Sequence, residues 1–441
     1  MVGLSTRRAL GMPVGTAHLR RASHEGLSRI MERQPPIIAR TSTGGGIALS
    51  PEERERHVYI VGKSGSGKST VLFNLAMHDI WSGQGVAVLD PHGDLAEAIL
   101  DALPASRTND VCYLNVADSE FPVGFNPLAG TPPERHALAA AGIVQAFKHL
   151  WSDSWGPRLE YFLFQGISAL LAGPRPVLTD LSRVFTDAEF RDRLVRRISD
   201  PAVARFWTLE FPSYDQRFLA EAISPILNKV GQFTSSPALR NILGQYSPKF
   251  DLTFAMDNRR IFVANLAKGQ IGEQATNLLG SLFISHLQLT AMARSNQPQH
   301  ERVPFFCHID EVQSFGTDAL ASLLSESRKF KTRFCLVGQY TEQLSPNVRA
   351  AVFGNVGTLM AFRVSAADAA VLAPEFHPLP APELVDQPPF QAWLRRLHDN
   401  NRVAFIEPRL FPAREHRETT IKQSRRNFGR RRSKLDLSRY K

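Results

Sequence analysis

The string GKSGSGKS, from Gly62 to Ser69, has the spacing G-x-x-x-x-G-K-[ST] of a phosphate-binding loop. Glycines at 62, 65 and 67 let the backbone turn its N–H groups inward around Ser66, and a helix start adds its positive end. In such a loop Lys68 reaches the β- and γ-phosphates of ATP, the Ser69 hydroxyl ligates Mg2+, and Thr70 adds a contact near the α-phosphate. A dinucleotide loop, G-x-G-x-x-G, would need a glycine where Thr70 stands. A second string, FFCHIDE at 305–311, is an apolar run that ends in Asp310 and Glu311. At the end of a buried strand Asp310 can hold the magnesium shell, and Glu311 can orient and activate the attacking water. Solvated turn residues would account for the acidic pair taken alone; the phosphate loop gives it a partner.

Three further groups belong to the same chemistry. Gln339 ends the run RFCLVGQ and can sit beside Glu311, linking hydrolysis to a moving element, or simply cap a strand. Arg328, in SESRKFKTR, is a candidate arginine finger for a neighbouring subunit's site, with helix-end cation as the competing role and Arg363 as the rival finger. Asp90 and His92, in VLDPHGD, end a strand at the same sheet edge and so stand near nucleotide or a subunit interface, or simply form an Asp-Pro-His-Gly turn; a metal site is not supported, because no second histidine or cysteine has ligand spacing nearby.

Positioning these groups requires strands that end at one edge. From His57 short apolar runs alternate with helical segments: HVYIVG, GVAVLD and VCYLNV, then RIFVANL, PFFCHID, RFCLVGQ and VGTLMAF. That alternation predicts an α/β fold with a central, mainly parallel sheet covered on both faces. PFQAWLRRL and NRVAFIEP are two further strand-like pieces. Between VCYLNV and RIFVANL the strand signal vanishes and periodic apolar helices such as RLEYFLFQGISALLA take over, so residues 127–249 read as a separate all-helical insertion. The motor domain then comprises 51–126 and 250–410. Residues 1–50 mix arginines with QPP and GGG and read as a poorly ordered lead-in; 411–441 read as a basic, solvated tail.

Composition agrees. Apolar residues make up 43% and charged residues 21% of 441, as in a globular protein of two or three domains. The stretch Asn277 to Ala293 is too interrupted by polar residues for a membrane span and reads as a buried helix. Cys112, Cys307 and Cys335 form no C-x-x-C pair and read as reduced core thiols of a cytoplasmic protein. Net charge is +10, and from Arg409 onward twelve Lys and Arg stand against three acids. Basic ends of this kind can hold phosphate by counterion release.

Together HVYIVGKSGSGKST, AVLDPHGDL, FFCHIDEVQSF, SESRKFKTRFCLVGQ and NVGTLMAFRVSAADA resemble the HerA-FtsK superfamily of RecA-like P-loop ATPases. Within it the chain is most similar to coupling proteins of the TraG/TraD type, over roughly residues 45–410. The resemblance implies ATP and Mg2+ as cofactors, a hexameric ring with ATP sites between subunits, and DNA as the moved substrate. It also implies relaxosome and type IV secretion proteins as partners. It carries Lys68, Ser69, Asp310, Glu311 and Gln339 over as site residues, and Arg328 as the finger. Membrane-bound coupling proteins usually begin with transmembrane helices; none is legible here, so the expectation is a cytoplasmic protein that meets the inner membrane through partners. A repair helicase would carry an N-terminal barrel for which the first 50 residues are too short. A secretion or pilus-assembly ATPase acting on protein, or a soluble HerA-like DNA helicase or translocase, is the alternative. An ABC ATPase is not supported, because LSGGQ is missing, and neither is a GTPase, because Asn228-Lys229-Val230 runs into Gly231.

Overall fold

The computed structural model describes residues 35–397, 402–406 and 408–435. The eleven strands among the described residues are β1 (Ile37–Arg40), β2 (Gly46–Ala48), β3 (Val58–Val61), β4 (Gly85–Asp90), β5 (Val111–Asn115), β6 (Ile261–Asn265), β7 (Phe305–Ile309), β8 (Thr332–Gly338), β9 (Thr358–Ala361), β10 (Gln391–Arg395) and β11 (Arg402–Phe405). They form one sheet in the order β2-β1-β11-β10-β9-β3-β8-β7-β4-β6-β5. From β9 to β5 every neighbour is parallel; the remaining strands continue antiparallel. Burial follows that division. The runs VYIV, GVAVLD and FFCHI are buried at every residue, as strands covered on both faces must be. The antiparallel QAWLR alternates, with Ala392 and Leu394 inward.

Alternation along each strand builds two cores. Val58, Ile60, Val86 and Val88 face the helices Lys68–Trp81 and Asp94–Ala102. Tyr59, Val61, Ala87 and Leu89 face the opposite layer, whose central helix is Glu273–Ala293. Between β5 and β6 the described elements are all helical. They are rooted in the sheet layer: helix His136–Leu150 lies along Glu273–Ala293, where Ser285 Oγ donates to Gly142 O at 3.0 Å. Their apolar residues share one continuous core with that face of the sheet.

Two expectations need correction. Residues 1–34 of the predicted lead-in lie outside the described residues, but 37–48 form a hairpin. Its glycines supply the turn, Gly44 at φ +84, and its apolar residues Ile38, Ala39, Ile47 and Leu49 are buried. Short strands among polar punctuation give too weak a period to be read alone. The tail, described to Leu435, is not a solvated run. Helix Arg417–Asn427 covers the edge strand β5, and Tyr113 N–H donates to Ser424 Oγ at 2.8 Å. Arg417 pairs with Asp101 and Glu97, and Arg425 with Asp118 at 2.7 Å. The tail's charge is partly spent on the body, and the exposed sheet edge is closed.

Buried polar groups tie the phosphate-loop helix to β7 and the start of β3 to β8 beneath the site. Asp79, on the helix Lys68–Trp81, pairs with Arg54 and lies 2.9 Å from His308 Nε2 on β7. Despite burial, Arg54 and His308 hold its carboxyl far below the usual range. Asp79→Ala would leave a buried guanidinium unmatched and should cost about 3–5 kcal/mol, read as a lower urea midpoint.

His57 receives Phe334 N–H on Nδ1 at 3.1 Å and lies 2.9 Å from Ser327 Oγ through Nε2. Burial pushes its pKa down to about 4, and burial does the same to His286. An unfolded histidine titrates near ~6.5, so the unfolded chain binds more protons between these values. Their stabilisation is therefore complete above that unfolded value and is lost as pH falls toward 4. Asp310, raised to about 7, acts with the opposite sign, one group against two. Urea midpoints should accordingly be lower at pH 5 than at pH 7; equal midpoints would contradict neutral burial of both rings.

Candidate nucleotide site

The parallel strands deliver their C-terminal ends to one edge, where ligands bind in open α/β sheets. There β3 runs into the phosphate loop, β7 into Asp310 and Glu311, β8 into Gln339, and β4 into Asp90. The loop has the required left-handed glycines: Gly62 at φ +154, Gly65 at +73 and Gly67 at +113. Its walls are close as well. A Cβ on Gly62 would stand 2.5 Å from Phe362 Cβ, and one on Gly67 within 3.1 Å of Phe390 Cδ1. Lys63 N–H donates to Arg363 O at 2.9 Å, anchoring the loop to β9. Gly67 caps the helix Lys68–Trp81, whose first turn carries exposed Ser69 and half-buried Thr70.

The loop's polar groups are directed inward. Lys68 is 6% exposed and its ammonium donates to Lys63 O at 2.9 Å. Burial lowers its pKa, while Glu311 and Asp310 raise it. The Ser66 hydroxyl is buried without a hydrogen-bond partner among the described residues. Asp310 is buried, and its pKa rises to about 7, first through burial and then through the charges of Glu311 and Asp90, with Lys68 opposing. Two carboxylates, Asp310 and Glu311, thus act on one ammonium, while Asp90 adds its charge against Asp310; oxygen donors of this kind suit a hard divalent cation shared with phosphate oxygens.

Glu311 sits at φ +50, an uncommon conformation for a side chain with a Cβ. Its carboxylate is held from both sides: Gln339 Nε2 donates to Oε1 at 2.6 Å and Gln313 Nε2 donates to Oε2. Gln339 is fixed in turn by the β8 exit, where the Thr341 N–H and hydroxyl both donate to Asp368 Oδ1 at 2.7 Å. Behind the acidic turn Phe315 fills a space open only because residue 280 is glycine; a Cβ there would meet its ring at 2.1 Å.

Lys68, Asp310, Glu311 and Gln339 are therefore brought together from separate stretches of the chain. Asp90 belongs to the same edge but is occupied in its own turn, accepting from His92 N–H at 2.9 Å and Ala96 N–H at 2.8 Å. The His92 side chain is exposed. Arg328 is not brought to this site. It precedes β8, at the opposite edge of the sheet, and is exposed. Arg363, also exposed, follows β9 next to the loop. The cysteines are buried free thiols whose pKa values burial raises. Gln313 was missed in the sequence; its only signal is a second amide two residues beyond the acidic pair.

The glycine geometry is testable with a ligand that has phosphates and no base. Gly62→Ala, which collides with backbone-fixed Phe362, should weaken Mg2+-tripolyphosphate binding by more than about tenfold. Gly65→Ala faces open space and should cost about fivefold, the strain of its positive φ alone. The reverse order in a calorimetric titration would contradict this loop geometry.

No family model and no curated protein matches the sequence. Solved structures do match in fold. The plasmid coupling protein TrwB in complex with a non-hydrolysable ATP analogue gives a TM-score of 0.63 at 17% identity, over 94% of this chain and 97% of that one. TrwB in complex with ADP and Mg2+ gives 0.64 at 16%, over 90% and 95%. VirB4 of Thermoanaerobacter pseudethanolicus gives 0.58 at 14%, over 85% and 96%. At these identities the likeness is one of architecture: the chain has the α/β fold, mainly parallel sheet and helical layer together, of the conjugative coupling protein TrwB.

Proposed function

We propose that the protein is an ATP-hydrolysing motor of the conjugation and type IV secretion class, with DNA as the substrate it moves. The observation that carries the nucleotide half is the convergence of buried Lys68, Asp310 and Glu311 at one sheet edge. In this reading the loop N–H groups and Lys68 bind the phosphates, and Ser69 and Asp310 hold Mg2+, which neutralises charge on the transferring phosphoryl group when bound. Glu311, oriented by Gln339 and Gln313, takes the proton of the attacking water. The fold likeness to TrwB, whose structures contain an ATP analogue and ADP with Mg2+, supports the same ligands here. DNA is supported by that likeness and by the basic balance of +10, although the docked tail leaves less free charge than its composition suggests.

Arg328 is too far from its own chain's loop to serve it, so its role as a finger requires a neighbouring subunit, as in a hexameric ring. Arg363 is the candidate already beside the loop. The division into a motor, residues 51–126 and 250–410, and a helical insertion, 127–249, belongs to the same proposal. So does attachment to the inner membrane through relaxosome and secretion partners. Among the described residues no helix is long and apolar enough to cross a membrane.

Phosphate release measured with and without DNA tests the proposal. Wild-type turnover should rise with DNA, and Glu311→Gln should lower kcat by about 10²–10⁴-fold with nucleotide affinity retained. Turnover indifferent to every nucleic acid, with co-purifying secretion subunits, would favour a protein substrate instead. Arg328→Ala should reduce kcat about 10³-fold in assembled rings; the same loss in Arg363→Ala, with Arg328→Ala unaffected, would move the finger to Arg363.

A further inference from the structure

Phe390 is a bulky aromatic held at φ +62, in the left-handed region where strain persists only if the surroundings enforce it. They do. Its N–H donates to the carbonyl of Ser66 in the phosphate loop at 3.1 Å, and its own carbonyl accepts from Ile406 N–H at 2.9 Å. Two prolines, Pro388 and Pro389, lead into it and restrict the approach. Just before them Gln387 Nε2 donates to Ala361 O at 3.1 Å. The residue displayed by this clamp is 56% exposed, while Ala392 and Leu394, on the strand that follows, are fully buried. It lies against Gly67, with Cδ1 3.1 Å from where a Cβ would stand. A rigid, strained backbone thus spends its constraint on keeping an apolar ring outside the core at the lip of a phosphate cradle. A large π face beside a polar cradle has the chemistry of a stacking platform for a heterocyclic base.

We propose that Phe390 stacks on the purine base of the nucleotide whose phosphates occupy the loop, an inference that rests on the nucleotide reading of that loop. Stacking recognises the face of a base and not its edge, so adenine and guanine nucleotides gain alike. A triphosphate without a base gains nothing. The Ser66 bond makes the ring part of the loop, so the base contact and the phosphate contacts are held in one register.

Calorimetric titration of the full-length protein, with Mg2+ and either a non-hydrolysable ATP analogue, the GTP analogue or tripolyphosphate, separates the outcomes. Phe390→Ala should weaken both nucleotide analogues about tenfold and leave tripolyphosphate within about twofold, and Phe390→Trp should retain nucleotide affinity. Phe390→Gly, for which the positive φ is unstrained, should show the same selective loss with thermal stability unchanged or raised. Equal loss for tripolyphosphate and nucleotides would make the ring a mere prop of the loop and overturn the proposal; so would full nucleotide affinity in Phe390→Ala. Wild-type protein that bound neither nucleotide nor tripolyphosphate would instead refute the nucleotide reading itself.

Discussion

An imbalance of charge at the carboxyl edge of the sheet governs this structure. Asp310 and Glu311 are buried next to each other, Asp90 adds its charge to the field on Asp310, and Lys68 is the ammonium that meets the first two. Buried like charges are tolerated only where fixed donors and an opposing charge compensate them. The compensation here is incomplete: burial first, and then the charges of Glu311 and Asp90, push Asp310 up to about 7. Glu311 meets the same difficulty differently: two side-chain amides hold its oxygens. A site arranged in this way has strong demand for a divalent cation and for anionic oxygens that share it, and the glycine loop opposite supplies donors for those oxygens.

The scaffold exists to hold that arrangement to tolerance. Parallel pairing from β9 to β5 brings the exits of β3, β4, β7 and β8 to one line, and their apolar runs require helices on both faces. The contacts below the edge are more specific than apolar burial. Asp79 joins the phosphate-loop helix to β7, and His57 joins the start of β3 to β8 and the turn before it. Both lie within the layer, so a shift of one motif strand against another would break a buried polar contact. At the margins, the β1-β2 hairpin extends one side of the sheet and helix Arg417–Asn427 closes the other, so the two ends of the described chain finish the same sheet.

Legibility differed by element in a consistent way. The nine strands from β3 to β11 were readable because each is a compact apolar run between turn residues, and the helical stretch because its period persists over long windows. The hairpin was not, since Ile37–Arg40 and Gly46–Ala48 are too short to show alternation and owe their order to β11, more than 350 residues away. The tail misled for a related reason: its arginines are indistinguishable in sequence from solvated charge until Asp101, Glu97 and Asp118 are placed opposite them.

Lys68, Ser69 and the three glycines of their loop were determined by the sequence itself, because a phosphate cradle is made within a few consecutive peptide units and its spacing is its geometry. Asp310, Glu311 and Gln339 were legible as strand-end polar residues, but that they meet follows from which strands lie side by side. Only tertiary structure decided that Gln313 shares the grip on Glu311, that Arg328 faces away from its own loop while Arg363 adjoins it, and that Phe390 rests on Ser66. Those relations join residues distant along the chain, and no local spacing encodes a contact that exists only once separate strands have been laid edge to edge.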